Sequence, residues 1–224
     1  LNERERRNYL NIRHPFIVPY IGYIKFANKP KYLLLEYVEG ETLNKYDEDK
    51  LSSLNNDEKY IIILELLLTI HYLHSHKYVY RDLRFVNIMI NQNKDAILID
   101  FDHVRKENDK TENEEQTQNF NGLLEVSPEV NKTYKSDVYS LGYIIRYILY
   151  GKFPIVSNKI EINEKFIFKS CLKDEPTERP NIIEMTNIFF SNFFTKVKLI
   201  SKKMQYLISL AANQNYPQAQ YNLG

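Results

Sequence analysis

The sequence predicts an α+β fold, in which short antiparallel strand pairs accompany two long apolar helices. Apolar runs separated by turn residues predict strand pairs at residues 20–27 with 32–38 and at residues 88–90 with 96–99. Residues 57–76 are apolar nearly all round and residues 135–150 are a second apolar helix, so both are expected inside a larger fold. At 224 residues the chain is long enough for one large domain or two small ones.

Composition excludes several function classes. The chain has 30 Lys and Arg against 29 Asp and Glu, and a net charge of +1 gives no overall field to hold nucleic acid or an anionic membrane. No apolar run is long enough to span a bilayer, since the longest, residues 60–70, is interrupted by Glu65. A single cysteine, Cys171, excludes an internal disulfide and favours a reducing, cytoplasmic location.

The chain begins with a predicted helix at residues 1–12, because Leu1, Glu5 and Tyr9 recur on one face at i, i+4 spacing. The first strand pair follows the two prolines of RHPFIVPYIGYI and turns at Asn28-Lys29-Pro30. Because Leu1 is not preceded by Met and stands in mid-pattern, we expect the chain to be a fragment of a longer protein.

Three polar groups stand out in residues 78–101, YVYRDLRFVNIMINQNKDAILIDF. Asp82 and Asn87 lie in a short polar segment just before the second strand pair. A hairpin there brings Asp100, at the end of its second strand, back beside Asn87. Two converging oxygen ligands with a second carboxylate nearby suit Mg²⁺ that keeps waters and phosphate oxygens in its shell.

These motifs are similar to those of a known family. YRDLRFVN followed by IDFD resembles the catalytic loop HRDLxxxN and the metal-binding loop DFG of the eukaryotic protein kinases, in the same order and at a fitting separation. The resemblance implies a two-lobe kinase fold that transfers the γ-phosphate of ATP, with Mg²⁺, to Ser or Thr hydroxyls of protein substrates. It implies that Asp82 accepts or orients the substrate hydroxyl proton and that Asn87 and Asp100 hold Mg²⁺. Arg84 stands where Ser/Thr kinases usually have Lys, facing the γ-phosphate.

The resemblance also implies a nucleotide site. Glu5 stands where the kinase regulatory helix has the Glu that pairs with an ATP-binding Lys; a solvated surface Glu is the alternative. The segment LLLEYVEGETL is similar to the strand and hinge that hold adenine, although an ordinary strand end with a glycine turn is an alternative. By that match Leu35 is the gatekeeper, the Glu36 carbonyl accepts from the adenine amino group, and the Val38 amide donates to the ring. Met89 would lie beneath the ring.

Other segments resemble structural signatures of the family. SDVYSLG implies that Asp137 is a buried anchor accepting backbone N–H groups of the catalytic loop. SPE and CLKDEPTERP imply a buried salt bridge between Glu129 and Arg179, with Cys171 as a buried thiol. Four aromatic residues match the hydrophobic column that links the two lobes of an active kinase: Tyr9, Tyr20, Tyr80 and Phe101.

Some features leave alternatives open. The acidic residues 103–126 resemble the loop that switches kinase activity on and off. In one interpretation Thr111 or Thr117 carries a phosphate that pairs with Arg81. In the others the loop carboxylates pair with Arg81 and make phosphorylation unnecessary, or the loop only keeps the protein in solution. Three histidines of the helix at residues 57–76 are expected in the core or at the helix end, because a further ligand at metal spacing is lacking: His71, His74 and His76.

Departures from the family pattern favour other hypotheses. Asp102 replaces the Gly of DFG and would restrict backbone switching. Asn121-Gly122 stands where the family has Gly-Thr, which puts the substrate class in question. The segment 155–168 is shorter than the corresponding segment of most kinases. The Gly-rich loop and ATP-binding Lys are expected upstream of Leu1, so we expect this chain alone to transfer phosphate poorly or not at all. A pseudokinase scaffold is therefore a competing interpretation.

The predicted organisation has three parts. Residues 1–40 form a partial N-lobe, with one helix and two strands, and the hinge; residues 41–192 form a mainly α-helical C-lobe. Residues 193–224 form a linker helix and the start of a Sel1-like repeat, because AANQNYPQAQYNLG resembles that helical hairpin repeat. Such repeats would bind protein partners. A third hypothesis is that the function of the protein lies mainly in these repeats. The alternative for this segment is a short amphipathic tail helix.

Overall fold

The computed structural model describes residues 3–25, 31–107, 123, 125–129, 131–151, 170–196, 202–216 and 220. In this part of the chain the helices are α1 (Glu3–Asn11), α2 (Glu48–Ser53), α3 (Asn56–Ser75), α4 (Tyr134–Tyr150), α5 (Ile182–Lys196) and α6 (Lys202–Asn213). The strands are β1 (Tyr20–Lys25), β2 (Lys31–Leu35), β3 (Gly40–Thr42), β4 (Tyr78–Val79), β5 (Ile88–Asn91), β6 (Ala96–Leu98) and β7 (Arg105–Lys106). The predicted α+β class is confirmed.

The N-terminal part consists of α1 and the antiparallel β1–β2 pair. Glu3 and Glu5 lie in the first turn of α1, where carboxylates interact favourably with the helix dipole. Strand pairing runs from Tyr20 opposite Leu35 to Lys25 opposite Lys31. The predicted helix and strand pair are therefore confirmed, whereas the predicted turn at residues 28–30 lies outside the described residues.

Helix α3 is the centre of the larger, mainly helical part. Asn55 and Glu58 form a capping box: the Asn55 side chain accepts from the Glu58 amide, and the Glu58 side chain accepts from the Asn55 amide. The helix contacts α4, α5 and α6 as well as β4 and β6. Contact on all sides explains why its side chains are apolar around the whole circumference, since each fully buried Leu or Ile contributes about 1.5–3 kcal/mol.

Helix α4 packs beside α3. Thr133 caps its first turn by accepting from the Lys135 amide, and the helix ends at Gly151, whose φ of 81° lies in the left-handed region that favours glycine. Within α4, Gly142 lies against Cys171: a Cβ added to Gly142 would lie 2.5 Å from the Cys171 Cβ. The two elements therefore approach closely only because residue 142 lacks a side chain.

A three-stranded antiparallel sheet, in the order β3–β5–β6, carries the candidate site. Ile88 pairs with Leu98 and Ile90 pairs with Ala96, so the predicted hairpin is confirmed. The third strand, β3, was not predicted from the sequence. It lies so close to β5 that a Cβ on Gly40 would overlap the backbone of Ile90.

Several expectations fall outside the described residues. These are the roles of Thr111 and Thr117, the Asn121-Gly122 pair and the shortened segment 155–168. Among the helices that the structure describes, none combines the length and apolar character needed to cross a bilayer.

Candidate active site

The backbone of the segment that carries Asp82 is hydrogen-bonded to the Asp137 side chain, which lies in the first turn of α4. The Asp137 carboxylate accepts the Tyr80 amide at 2.8 Å on Oδ2 and the Arg81 amide at 2.8 Å on Oδ1. His74 Nε2 lies 2.9 Å from Oδ2 of the same carboxylate. The predicted anchor is confirmed. It stabilises a segment in which Arg81 has a φ of 74°, a left-handed conformation that non-glycine residues adopt at a cost.

Asp82, Arg84 and Asn87 form one hydrogen-bonded group. Arg84 Nε lies 2.7 Å from Asp82 Oδ1, and Arg84 Nη2 donates to Asp82 Oδ2 at 2.7 Å. Asn87 Nδ2 donates to Asp82 Oδ2 at 2.8 Å and to the Asp82 carbonyl at 2.9 Å. The Asp82 carboxylate is thus fixed from two sides, and the Arg84 guanidinium keeps positive charge beside it. Burial raises the pKa of the Glu125 carboxyl, and the positive charge of Arg84 acts against that rise.

Asp100 lies beside Asn87, as the hairpin predicted. The Ile99 amide donates to the Asn87 carbonyl at 2.9 Å, one residue before Asp100. Asp100 has a φ of 65° and accepts the Asp102 amide at 3.2 Å on Oδ1. The Tyr80 hydroxyl donates to the Ile99 carbonyl, a contact that sequence reasoning missed.

The donor set of Asn87 and Asp100 fits Mg²⁺. The Asn87 amide nitrogen is engaged by Asp82, so its carbonyl oxygen Oδ1 is the atom that a cation would meet. The Asp100 side chain is exposed and supplies a carboxylate just after β6, while Asn87 lies just before β5. Two hard oxygen ligands at this end of the hairpin suit a cation that keeps waters and phosphate oxygens in its shell.

Glu5 lies near the loop that follows β6. Burial raises the pKa of the Glu5 carboxyl to about 7, and the negative charges of Asp102 and Asp100 act in the same direction. Glu5 is partly buried and is not a freely solvated surface residue. A cationic side chain beside it would restore the charged form, which is the chemistry of the Glu–Lys pair that the resemblance implies.

Helix α1 is tied to the same loop by Asn8. The buried Asn8 Nδ2 donates to the Phe101 carbonyl at 2.9 Å and to the Val104 carbonyl at 3.0 Å. No sequence pattern indicates this role, because Asn8 stands among charged residues on a polar helix. The predicted aromatic column is in contact: ring centroids are 6.3 Å apart for Tyr9–Tyr20, 5.1 Å for Tyr9–Phe101 and 5.4 Å for Tyr80–Phe101.

The residues expected around adenine lie where β2 passes towards β3. Leu35 ends β2, and the Glu36 amide donates to the Pro19 carbonyl at 2.9 Å. Met89 lies on β5 between β3 and β6. Leu35, Val38 and Met89 are each partly buried against the same core. Their roles toward a nucleotide stay predictions.

Comparison with known proteins decides the family. The sequence matches the profile of the protein kinase domain over residues 2–215. The chain belongs to the protein kinase family. The match includes α6, which lies within residues 193–224, the segment predicted to begin a Sel1-like repeat.

Relatives of this kinase chain include serine/threonine-protein kinases from distant organisms. Serine/threonine-protein kinase YPK3 of Saccharomyces cerevisiae is 30% identical over 210 residues, covering 80% of this chain and 40% of the relative. Probable serine/threonine-protein kinase mkcE of Dictyostelium discoideum is 28% identical over 215 residues, covering 80% and 29%. Serine/threonine-protein kinase PknB of Mycolicibacterium smegmatis is 30% identical over 165 residues, covering 69% and 26%. The chain thus spans 26–40% of the length of these relatives.

The kinase domain has the predicted buried brace between Glu129 and Arg179. The Arg179 side chain is fully buried, with Nη1 2.5 Å from Glu129 Oε1 and Nη2 3.1 Å from Oε2. Burial tends to raise the pKa of Glu129, but the hydrogen bonds and charge of Arg179 outweigh it and lower that pKa. Cys171 is a buried free thiol, and burial raises its pKa to about 12, so it is not a nucleophile at neutral pH.

The three histidines of α3 have separate partners in the kinase domain. His74 bonds to Asp137, the His71 Nδ1 lies 2.8 Å from Gln214 Oε1, and His76 ends the helix with Nδ1 2.8 Å from the Tyr72 carbonyl. These contacts agree with the core and cap roles expected. Among the described residues no group of three His, Cys, Asp or Glu could hold a metal ion.

Proposed function

We propose that the protein containing this chain transfers the γ-phosphate of ATP to Ser or Thr hydroxyls of protein substrates, with Mg²⁺. One observation supports the proposal most: Asn87 is hydrogen-bonded to Asp82, and its carbonyl accepts the Ile99 amide across the β5–β6 hairpin, which brings the next residue, Asp100, to the same place. Phosphoryl transfer depends on positioning and on charge neutralisation, and this group can supply both.

Each residue has a distinct part in the proposed reaction. Asp82 orients the substrate hydroxyl and takes up its proton, and Asn87 holds the Asp82 carboxylate for that task. Arg84 exchanges its contact with Asp82 for the γ-phosphate when the nucleotide is present. Asn87 and Asp100 hold Mg²⁺, which neutralises charge on the phosphate oxygens when bound.

On the nucleotide side, the hinge residues Leu35, Glu36 and Val38 bind the adenine ring, and Met89 packs beneath it. Glu5 pairs with a Lys that positions the phosphates. The raised pKa of Glu5 supports this, because a carboxyl in that setting gains most from a cationic neighbour.

The test is radioactive phosphotransfer with the full-length protein. Asp82→Asn should lower the rate by at least about 100-fold, in line with the loss of a positioned general base. Asp57→Asn, at an exposed position in the first turn of α3, is the matched control and should keep full activity. Equal labelling by the wild type and Asp82→Asn would refute the role of Asp82.

A pseudokinase scaffold is the second candidate function. It is favoured by Asp102, which adds a carboxylate beside Glu5 where the family has glycine. Nucleotide binding by the full-length protein without any transfer would support this alternative and contradict the first.

Protein partners form the last part of the proposal. A Sel1-like repeat beginning in residues 193–224 would bind them. The small residues Ala211, Ala212 and Ala219 support this, because they allow helices to pack closely. Loss of a partner in pull-downs after deletion of the segment from residue 217 onward would support this; unchanged pull-downs would contradict it. The single cysteine supports an intracellular location for the protein.

A further inference from the structure

Helix α6 carries one lysine into the gap between α3 and the β5–β6 turn. Lys203 Nζ lies 2.9 Å from Glu65 Oε1 on α3 and 2.5 Å from Asp95 Oδ1 at the turn. It also donates to the Lys94 carbonyl at 3.4 Å. Although burial opposes it, the charges of Glu65 and Asp95 raise the pKa of Lys203, so the ammonium group stays charged at neutral pH.

Glu65 explains why a lysine is needed at this place. Its side chain is fully buried in the middle of an apolar helix, where an unpaired carboxylate is costly. Its Oε2 accepts the Ala96 amide at 2.7 Å, at the first residue of β6. Burial raises the pKa of Glu65, and the Lys203 charge and the Ala96 amide act against that rise. Glu65 therefore links α6 to β6, because Lys203 contacts one of its carboxyl oxygens and the Ala96 amide donates to the other.

Asp95 closes the turn that the same lysine contacts. Asn91 Nδ2 donates to Asp95 Oδ2 at 2.9 Å, and the Asp95 amide donates to Asn91 Oδ1 at 2.8 Å. The Asn91 amide also donates to the Asp95 carbonyl at 3.0 Å. The turn is therefore a compact unit, and Lys203 binds the carboxylate at its centre.

The other side-chain anchor of the turn is weaker. Lys94 pairs with Glu58 on α3, but the Lys94 side chain is 45% exposed against 29% for Lys203. Exposed ion pairs contribute little to positioning because water competes and both side chains are mobile. The contact from α6 is the more shielded one and has a fully buried partner.

The hairpin connects this turn directly to the two candidate cation ligands. From Ala96, strand β6 runs to Leu98, and the Ile99 amide then bonds to the Asn87 carbonyl at 2.9 Å. Asp100 is the next residue. Glu65 and Lys203 contact Ala96 and Asp95, which lie at the β6 side of the turn. Loss of these contacts would let β6 shift relative to β5, and such a shift changes where Asp100 lies relative to Asn87.

We propose that Lys203 is a positioning residue for the proposed Mg²⁺ site: by bridging Glu65 and Asp95 it holds the β5–β6 hairpin so that Asn87 and Asp100 converge. The inference rests on the proposed function, since it requires a cation at Asn87 and Asp100. It makes α6, which follows the catalytic residues by about 100 positions, part of the support of the site.

The experiment is a Mn²⁺ titration of the ¹⁵N-labelled chain, in which line broadening of the Asn87 and Asp100 amide signals reports occupancy. Lys203→Met should weaken the apparent Mn²⁺ affinity by about 10-fold, the lower end of what loss of a supporting contact costs a metal site. Lys202→Met, at the exposed neighbouring position of α6, should leave the affinity unchanged. Lys203→Arg, which keeps the charge, should restore it to within about 3-fold of wild type.

Each outcome separates the inference from the proposed function. If the wild-type chain shows no selective broadening at Asn87 and Asp100, the proposed Mg²⁺ site is wrong, and the role proposed for Lys203 is then wrong as well. If the wild type binds and Lys203→Met binds equally well, only the role of Lys203 is wrong, even if the variant melts at a lower temperature. If Lys203→Met does not fold, Asp95→Asn, which removes one arm of the bridge, is measured instead and should weaken Mn²⁺ binding in the same direction.

Discussion

Replacing Arg179 by Met removes the central side chain of the buried brace. Arg179 Nη1 and Nη2 bond to the two oxygens of Glu129 at 2.5 and 3.1 Å. The same side chain donates to the carbonyls of Lys135 at 3.1 Å, Lys173 at 2.8 Å and Asp174 at 3.2 Å. Methionine fills much of the volume but leaves every one of these acceptors without this donor.

The expected cost follows from what remains around Glu129. Its carboxylate keeps the Ser136 hydroxyl at 2.9 Å, and its side chain is 17% exposed, so some water reaches it. Breaking a buried pair by removing one partner costs about 3–5 kcal/mol, and partial water access places this case near 3 kcal/mol. With a urea dependence of about 3 kcal/mol per molar, the unfolding midpoint should fall by about 1 M.

Urea unfolding followed by circular dichroism measures the change. Lys173→Met is the control: its pair with Glu178 is exposed, so it should change the free energy of unfolding by at most about 1 kcal/mol. Adding Glu129→Gln to Arg179→Met should recover part of the loss, because the uncompensated charge is then gone. A midpoint for Arg179→Met equal to that of Lys173→Met would refute the reasoning.

The pH dependence of the same difference has a defined sign. The pKa of Glu129 is lowered in the folded state, so its contribution is present above the unfolded pKa and is lost as pH falls through the folded pKa. The gap in stability between wild type and Arg179→Met should therefore narrow as pH falls below about 4, the usual Glu pKa.

Two further predictions concern Glu5 and Gly142. Asp102→Asn should lower the pKa of Glu5 from about 7, measured by ¹³C NMR titration of the carboxyl, because the Asp102 charge adds to the effect of burial; an unchanged pKa would place Asp102 too far from Glu5. Gly142→Ala should destabilise the fold by about 1–3 kcal/mol despite better helix propensity, since its Cβ meets the Cys171 Cβ. Added to Gly142→Ala, Cys171→Gly should raise the melting temperature again, because it removes the Cβ that clashes, whereas Cys171→Ala keeps that Cβ and should not. A recovery of the melting temperature by both would contradict the clash as the cause.

Local pattern was sufficient for the elements that position the site. Helices α1, α3 and α4 and the β5–β6 hairpin follow from apolar spacing and turn residues, and their bounds agree with prediction to within two residues at most ends. The motif resemblance then placed Asp137 below the catalytic segment and Arg179 against Glu129, and both contacts are present.

Other parts of the site could not be predicted because they depend on contacts between distant residues. Strand β3 has three residues and is defined only by pairing with β5, about 50 residues later. Asn8 and Lys203 are ordinary polar residues of their helices, and their partners Phe101 and Glu65 lie 93 and 138 positions away, counting 101 − 8 and 203 − 65. Sequence pattern describes the face of a helix, but not which buried acceptor its side chain meets.

The β3–β5–β6 sheet has a consequence for how ligand affinities combine. Met89, beneath the proposed adenine site, lies on β5, and Asn87, at the proposed cation site, is the residue just before that strand. Two residues of extended chain span about 7 Å. Opening or closing of β1, β2 and α1 over the site changes how a nucleotide is covered, but it leaves this distance unchanged. The sheet therefore keeps a constant distance between the proposed base site and the proposed cation site. Because one nucleotide spans both sites, binding of the base and binding of the cation are thermodynamically coupled.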